Sequence, residues 1–251
     1  MNRNATNKDI TINSGDIRSF IKENTKEPTG EKGMDHRTGI WLTLFFLSVG
    51  NQSNLSYYAG PLAKLLYKYQ SNYQIFDSLI FLGLNRKDGY RIVTEVLGET
   101  IGTSLKREDV QELAKNKELQ LRKIIQSEEY SVAPRDVGPI LTDYEKLGYI
   151  IPKDSSYRNK YFRPHVIPFT FSILEHNLIN PKNALNVFTK NDIERIGLKN
   201  FWKISDKTLD KLLDQIIHSN GIKREVTGTL DQFLFKIKDW ERFFEWCDNF
   251  E

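Results

Sequence analysis

Residues Ser131–Ile167 decide the fold and read SVAPRDVGPILTDYEKLGYIIPKDSSYRNKYFRPHVI. The apolar spacing of a helix ends at Gly148, and a short strand is predicted over Tyr149–Pro152. A polar tip follows and leads to a second predicted strand over Tyr161–Ile167. The stretch therefore has the order helix, strand, polar loop, strand.

One residue complicates the helix of this stretch. Pro139 lies inside it, where a proline removes a backbone donor and kinks the chain. Either the helix begins at Pro134 and bends, or it begins near Pro139 and is short.

A charged amphipathic helix is predicted just upstream, from Arg107 to about Gln126. Together with it, the order above resembles a winged helix-turn-helix over roughly residues 107–167. In that family two short helices precede a recognition helix that enters the major groove, and the hairpin reaches the backbone or the minor groove. The resemblance implies a module that binds DNA or docks on another protein.

A similar order recurs near the C-terminus. Ser205-Asp206 is expected to cap a helix that ends at Asn220-Gly221. A hairpin is predicted from Ile222–Val226 and Asp231–Ile237, followed by an aromatic helix over Trp240–Phe250. The two helix-then-hairpin segments form a coarse structural repeat without sequence identity.

The remaining chain is polar at its start and helical beyond. The apolar run Ile40–Val49 is about half the ~20 residues that cross a bilayer, so it is predicted to be a buried helix. Asn85 is expected to cap a helix that runs through Leu97. The sequence thus predicts a mainly α fold with small β-hairpins, of the α+β class. Its predicted parts are a polar flexible arm (1–34), a helical unit (35–103), a winged-helix-like unit (104–170) and a second winged-helix-like unit with an aromatic C-terminal helix (171–251).

Composition favours a globular protein of the cytoplasm. The 36 basic residues nearly balance 33 acidic ones, so the net charge of +3 permits contact with nucleic acid without demanding it. The single cysteine, Cys247, excludes an intramolecular disulfide, and the first residues have no apolar signal-peptide run. A reducing compartment and no membrane partner are expected.

Basic side chains cluster in the central winged-helix-like unit, with tyrosines between them. Such side chains neutralise phosphates and release counterions, which supplies most sequence-independent affinity for DNA. If the unit binds DNA, the predicted contact residues of its recognition helix and wing are Arg135, Lys146, Lys153, Tyr157, Arg158, Lys160 and Arg163.

Two observations favour a different interpretation of these charges. A charged hairpin tip also keeps an edge strand from aggregating. Asp136, Asp143 and Glu145 make the recognition helix less suited to phosphates. Protein docking by the wing therefore stays open beside DNA contact.

A looser basic set occurs in the C-terminal unit and consists of Lys203, Lys207, Lys211, Lys223 and Arg224. The first three recur every four residues and are expected to share one helix face. Asp206, Asp210 and Asp214 recur beside them. Alternating surface charge is the favoured interpretation of this set, with phosphate binding as the alternative.

Motifs of common enzyme classes do not occur in the sequence. It has no Walker loop, no G-x-S-x-G elbow and no H-E-x-x-H pair, its four histidines are isolated, and it has no (Asp/Glu)-x-Lys triplet of a restriction-type nuclease. We therefore predict no catalytic residue, metal or cofactor. Glu225 and Asp231, acidic residues near the C-terminal hairpin, are a candidate pair for an atypical nuclease site.

Three functions follow from these features. The first is a non-catalytic reader, regulator or specificity subunit that binds double-stranded DNA, and the Lys-, Asn- and Ile-rich composition suggests a prokaryotic defence or mobile-element system. The second is an adaptor that docks on other protein subunits, such as a larger ATPase or nuclease complex. The third is an atypical metal-dependent nuclease.

Overall fold

A computed structural model describes residues 11–12, 46–49, 56–69, 71–86, 88–125 and 134–250. The described chain is mainly helical and contains three small antiparallel sheets of three strands each, which confirms the α+β class. Residue contacts divide the chain into two compact units, residues 1–86 and residues 87–251.

The first unit combines a small sheet with two helices. Its elements are β1 (Thr11–Ile12), β2 (Phe46–Val49), β3 (Ser56–Ala59), α1 (Pro61–Lys68) and α2 (Tyr73–Leu84). The strands have the order β1-β3-β2, and both outer strands are antiparallel to β3. Apart from Thr11 and Ile12, the predicted flexible arm lies outside the described residues.

Two predictions for the first unit are wrong. Phe46–Val49 is a strand paired with β3 and not part of a buried helix, whereas residues 40–45 lie outside the described residues. A ten-residue apolar run does not distinguish a buried helix from a strand by its periodicity. Asn85 follows α2 as its C-cap, and its side-chain amide donates to the carbonyl oxygen of Phe81.

The second unit contains two modules that we call proximal (residues 88–158) and distal (residues 166–248). The proximal module consists of α3 (Asp88–Glu99), β4 (Ser104–Leu105), α4 (Arg107–Ile125), α5 (Pro134–Lys146), β5 (Ile151–Lys153) and β6 (Ser156–Arg158). The strand after the first helix pairs with the second strand of the hairpin, which gives the order β4-β6-β5.

The distal module repeats this plan with extra helical turns. It consists of α6 (Val166–Ile179), a 3₁₀ turn (Pro181–Asn183), β7 (Val187–Phe188), α7 (Lys190–Arg195), α8 (Leu198–Phe201), α9 (Asp206–His218), β8 (Ile222–Thr227), β9 (Leu230–Phe235) and α10 (Trp240–Asp248). The strand order is β7-β9-β8, so the same pairing rule holds in both modules.

Several expected boundaries are confirmed. The upstream amphipathic helix is α4, and α5 begins at Pro134 and continues through Pro139. Gly148, with a φ of 67°, follows α5 where the helical pattern was predicted to stop. In the distal module, Ser205 caps α9 by accepting a hydrogen bond from the backbone N–H of Thr208.

The second strand of the proximal hairpin was predicted wrongly. The hairpin turns within two residues at Asp154-Ser155, where Asp154 has a φ of 52°, so the returning strand is Ser156–Arg158 and not Tyr161–Ile167. Val166 and Ile167 begin α6 instead, because the His165 ring nitrogen accepts a hydrogen bond from the Ile167 N–H and caps that helix.

A chain of aromatic rings links the two modules. Tyr90, Tyr144, Tyr149, Phe162 and Trp202 lie in consecutive contact, with ring centroids 5.8, 5.0, 5.4 and 6.2 Å apart. Tyr144, Tyr149 and Trp202 are fully buried. Aromatic pairs at these distances add to the stability that burial provides, so the modules share one continuous core.

Candidate nucleic-acid interface

The proximal sheet has one face that is rich in polar and basic side chains. Strand register pairs Lys153 with Ser156, and Arg158 with both Ile151 and Ser104. Directly paired residues project from the same side of a sheet, and side chains alternate along a strand. Ser104, Ile151, Lys153, Ser156 and Arg158 therefore form one surface, the outer hairpin face, of which only Ser156 is partly buried.

Tyr157 lies on the opposite face of the same sheet. It pairs with Leu105 and Pro152, and its half-buried side chain lines a cleft against α5. The predicted contact residues Tyr157 and Arg158 are thus separated by the sheet. The seven predicted residues do not form one continuous surface.

The connector between the modules extends the basic surface. Lys160, Tyr161 and Arg163 follow the hairpin and are exposed, and the Tyr161 side chain is 59% accessible. The backbone N–H of Phe162 donates to the carbonyl oxygen of Lys203, 2.9 Å away, which ties the connector to the distal module. Lys160 and Arg163 therefore emerge from a chain segment that is held in place.

The four cations on the outer hairpin face and the connector have no acidic partner among the residues that the structure describes. Lys153, Arg158, Lys160 and Arg163 make no ion pair with any described carboxylate. Their side chains are exposed, so their charge is available to a partner. We call this set the proximal cation cluster.

Helix α5 presents a different charge. Asp136 and Glu145 are exposed, and Asp143 is half-buried and accepts a hydrogen bond from the hydroxyl of Tyr90. Burial, together with this carboxylate, raises the pKa of the Tyr90 hydroxyl. Lys146 is exposed in the last turn, so three of the four described charged side chains of α5 are acidic.

Arg135 lies in the first turn of α5, beside Pro134. Its side chain lies outside what the structure describes. The predicted role of Arg135 as a DNA contact therefore stays a prediction.

The basic residues of the distal hairpin are paired within the protein. The Nζ of Lys223 is 2.8 Å from a carboxylate oxygen of Glu225, and the guanidinium of Arg224 makes two hydrogen bonds of 2.8 Å to Asp231. The hydrogen bond from Arg224 lowers the pKa of the Asp231 carboxyl. These two cations differ from the proximal cation cluster, although the sequence presents both as basic hairpins.

The carboxylates Glu225 and Asp231 do not converge. Glu225 pairs in register with Gln232, the residue after Asp231, so the two acidic side chains project from opposite faces of the hairpin. Among the described residues no group of three or more His, Cys, Asp or Glu side chains could hold a metal ion. The acidic pair considered for a nuclease site is not assembled.

Helix α9 carries two of the predicted lysines on one face. Lys207 and Lys211 are exposed and have no ion pair among the described residues. Two of the three neighbouring acids are paired, because Lys199 lies 2.8 Å from Asp206 and Lys190 pairs with Asp210, whereas Asp214 is exposed and has no ion pair in the described chain. The exposed stripe of α9 is therefore more basic than its sequence indicates.

Lys203 does not belong to this stripe, contrary to the prediction. It precedes α9, has a φ of 47° and is fully buried. Its Nζ donates to the carbonyl oxygen of Tyr149 and to Oδ1 of Asn159, 2.8 Å away, and lies 3.7 Å from the centroid of the Tyr149 ring. Burial lowers the pKa of Lys203 to about 7. Its buried sequence neighbours, Trp202 and Ile204, are the one local hint of this position.

Asn159 and Lys203 together form a buried junction between the two modules. Its side-chain amide donates to the carbonyl oxygen of Leu97 at 2.6 Å and to Oγ1 of Thr100 at 3.1 Å, while Oδ1 accepts from Lys203. Its backbone N–H donates to Thr103. Asn159, the residue that follows β6, is thereby fixed to both modules.

The cleft beside Tyr157 contains a cation that sequence reasoning did not select. Its volume is about 420 Å³, and it is lined by Arg107, Gly138, Pro139, Thr142, Asp143 and Tyr157. Arg107 is exposed and has no ion pair or hydrogen bond among the described residues. No signal in the sequence brings Arg107 and Tyr157 together, because their proximity depends on the folded α4, α5 and β6.

No described helix has the length and apolarity that a membrane crossing requires. No protein-family model, curated protein or solved structure matches the chain.

Proposed function

We propose that the proximal and distal modules are winged helices, and that the protein binds double-stranded DNA without catalysing a reaction on it. The proposed contact is made by the proximal cation cluster, chiefly with phosphates. The element order and strand order of both modules support the winged-helix assignment.

A single observation carries the proposed function. The proximal cation cluster has four exposed cations without an acidic partner in the described part of the chain, whereas Lys223 and Arg224 on the distal hairpin are paired. The charge of a cation already paired with a carboxylate is largely offset when a phosphate approaches, because the phosphate also meets the carboxylate. The charge of an unpaired surface cation is not offset in this way, and the phosphate that it neutralises releases counterions condensed on the DNA.

The charge of α5 determines the mode of binding that we propose. Asp136 and Glu145 are nine residues apart and lie on opposite flanks of α5, so each would approach a phosphate strand if the helix entered the major groove deeply. Like charges at an interface cost free energy and suppress the wrong orientation. The proposed contact therefore depends on the backbone through the hairpin and connector, with little direct reading of bases.

The test is the salt dependence of duplex binding. Fluorescence anisotropy with a labelled duplex of about 20 base pairs should show affinity that falls steeply between two salt concentrations. The slope of log K against log salt is negative, and each phosphate contact contributes roughly −0.9 to it. In the double variant Arg158→Gln/Lys160→Gln the slope should therefore become shallower by about 2. Absence of duplex binding by the wild-type protein at low salt would overturn the proposal.

A matched control uses the paired cations. The variant Lys223→Gln/Arg224→Gln removes the same number of charges from the distal hairpin, but these charges are already neutralised by Glu225 and Asp231. It should retain the wild-type slope. If both double variants lower the slope equally, binding depends on net charge and not on the proximal cation cluster.

The acidic side of α5 favours a second candidate function, an adaptor that docks on another protein subunit. Asp136 and Asp143, seven residues apart, share one flank of α5 and would then face a basic partner surface, with Glu145 on the other flank. Two results together would favour the adaptor. The wild-type protein would bind no duplex, and the Asp136→Asn/Glu145→Gln variant would lose a subunit that co-purifies with the wild type.

A further inference from the structure

The cleft between the start of α4, the middle of α5 and β6 holds two opposite charges that do not neutralise each other. Arg107 stands on one wall and has no ion pair with any described residue, whereas Asp143 lies on another wall and accepts from Tyr90. A separated cation and carboxylate fit a ligand with an anionic end and an N–H donor end.

The structure of α5 explains how Arg107 is positioned. A Cβ built on Gly138 would lie 2.6 Å from both Cζ and Nη2 of Arg107, so the guanidinium rests directly against the bare helix backbone. Glycine and proline both weaken a helix interior, yet Gly138 and Pro139 occur side by side in the middle of α5. Their position accommodates the guanidinium and leaves the cleft open beside it.

The remaining walls suit a planar ring. The half-buried Tyr157 side chain and the exposed Pro139 line the cleft, and aromatic side chains are stacking partners of unpaired bases. A volume of about 420 Å³ falls in the range of small-molecule sites, about 300–1,000 Å³. Double-stranded DNA cannot place a base here, because its bases are stacked within the duplex.

We propose that this cleft binds a single unpaired nucleotide, such as the end of a nucleic-acid strand, whose base carries an exocyclic amino group. Arg107 contacts the phosphate, the ring of Tyr157 packs against the base, and the Asp143 carboxylate accepts a hydrogen bond from the amino group. Adenine, cytosine and guanine carry such a group and thymine does not. The inference deepens the proposed function, since it names a strand-end site beside the duplex contact.

The first experiment uses mononucleotides and the full-length protein. Isothermal titration and ¹H–¹⁵N correlation spectra with dAMP, dCMP and dGMP should show binding, with the largest shifts at the amides of Gly138, Thr142 and Tyr157. We expect dTMP to bind about tenfold more weakly than dCMP, which corresponds to one charge-assisted hydrogen bond. Deoxycytidine should also bind more weakly, because it lacks the phosphate.

Three variants separate the proposed contacts. Asp143→Asn should reduce the preference for dCMP over dTMP, and Arg107→Gln should reduce the preference for dCMP over deoxycytidine. Gly138→Ala should act like Arg107→Gln, because the new methyl group displaces the flexible end of Arg107 while alanine favours the helix. Lys106→Gln is the matched control, since Lys106 is an exposed neighbouring cation that does not line the cleft.

Each adverse outcome overturns the inference without deciding the proposed function. Equal binding of dTMP and dCMP removes the role of Asp143, and equal binding of inorganic phosphate and dCMP leaves only an anion site. No mononucleotide binding at millimolar concentration also overturns it. Duplex binding by the proximal cation cluster is measured separately and can persist in all three cases, whereas loss of duplex binding with intact mononucleotide binding overturns the proposed function alone.

Discussion

Replacement of Lys203 by methionine should change how the stability of the protein depends on pH. Folding lowers the pKa of this lysine from 10.5 to about 7, because the ammonium is buried. Between these two pH values the unfolded chain holds one proton more than the folded protein. Stability therefore rises with pH across this window and is lost again as the pH falls toward 7.

The magnitude follows from the same pKa values. Each pH unit between them contributes about 1.4 kcal/mol, so the full window corresponds to at most about 5 kcal/mol. The hydrogen bonds to Tyr149 and Asn159 and the ring of Tyr149 favour the ammonium and reduce this value. Below pH 7 both states are protonated, and the contribution of Lys203 is constant.

The assay compares free energies of unfolding in urea between about pH 6 and about pH 9.5. The difference between wild type and Lys203→Met should grow in favour of wild type as the pH rises. Subtraction of the two profiles removes the titration of groups that both proteins share. The Lys207→Met control removes an exposed lysine without an ion pair in the described chain, and its profile should run parallel to that of wild type.

Parallel profiles for wild type and Lys203→Met would refute this reasoning. They would mean that Lys203 titrates in the folded protein as it does in the unfolded chain. A direct NMR titration of the lysine ε-carbon gives an independent measurement, because the pKa of Lys203 should lie near 7 and not near the ordinary 10.5 of a lysine.

Two further predictions concern glycines and a helix cap. Gly98→Ala should destabilise the protein by about 1–3 kcal/mol, because its Cβ would lie 2.6 Å from the carbonyl oxygen of Asn200. In the same helix, the Cβ of Gly89→Ala would meet only Ile140, at 3.4 Å, so this variant should stabilise the protein by up to about 1 kcal/mol. Thermal melts that show the same shift for both variants would contradict this prediction. Ser205→Ala should lower the free energy of unfolding by about 1 kcal/mol through the lost cap, and urea titration checks it.

The elements that could be predicted from sequence are those with strong local signals. Helix α4 has apolar spacing over five turns, α9 has a serine cap, and the distal hairpin has a glycine turn with a φ of 63° at Gly228. Each signal acts within a few residues, so it does not depend on the rest of the fold. The prediction of the second strand of the proximal hairpin was wrong because Tyr161–Ile167 is apolar enough for a strand, whereas in the structure His165 caps a helix.

The candidate site was less predictable, because its properties depend on distant residues. Lysine is almost always exposed, so its four-residue spacing from Lys207 predicted a surface position for Lys203. Its actual hydrogen-bond acceptors are buried oxygens of Tyr149 and Asn159, which are more than 40 residues away in the sequence. The neutralisation of Arg224 by Asp231 depends on hairpin register, which residue type alone does not reveal. Arg107 reaches its cleft only because Gly138 lacks a side chain.

The junction at Asn159 also has a consequence for avidity. Two binding surfaces joined by a flexible tether have an effective concentration set by the length of the tether. Asn159 and Lys203 instead hold the proximal cation cluster and the lysines of α9 within one compact unit, so their separation is fixed. If the lysines of α9 also contact phosphates, a duplex long enough to reach both surfaces should gain affinity in one step as its length increases.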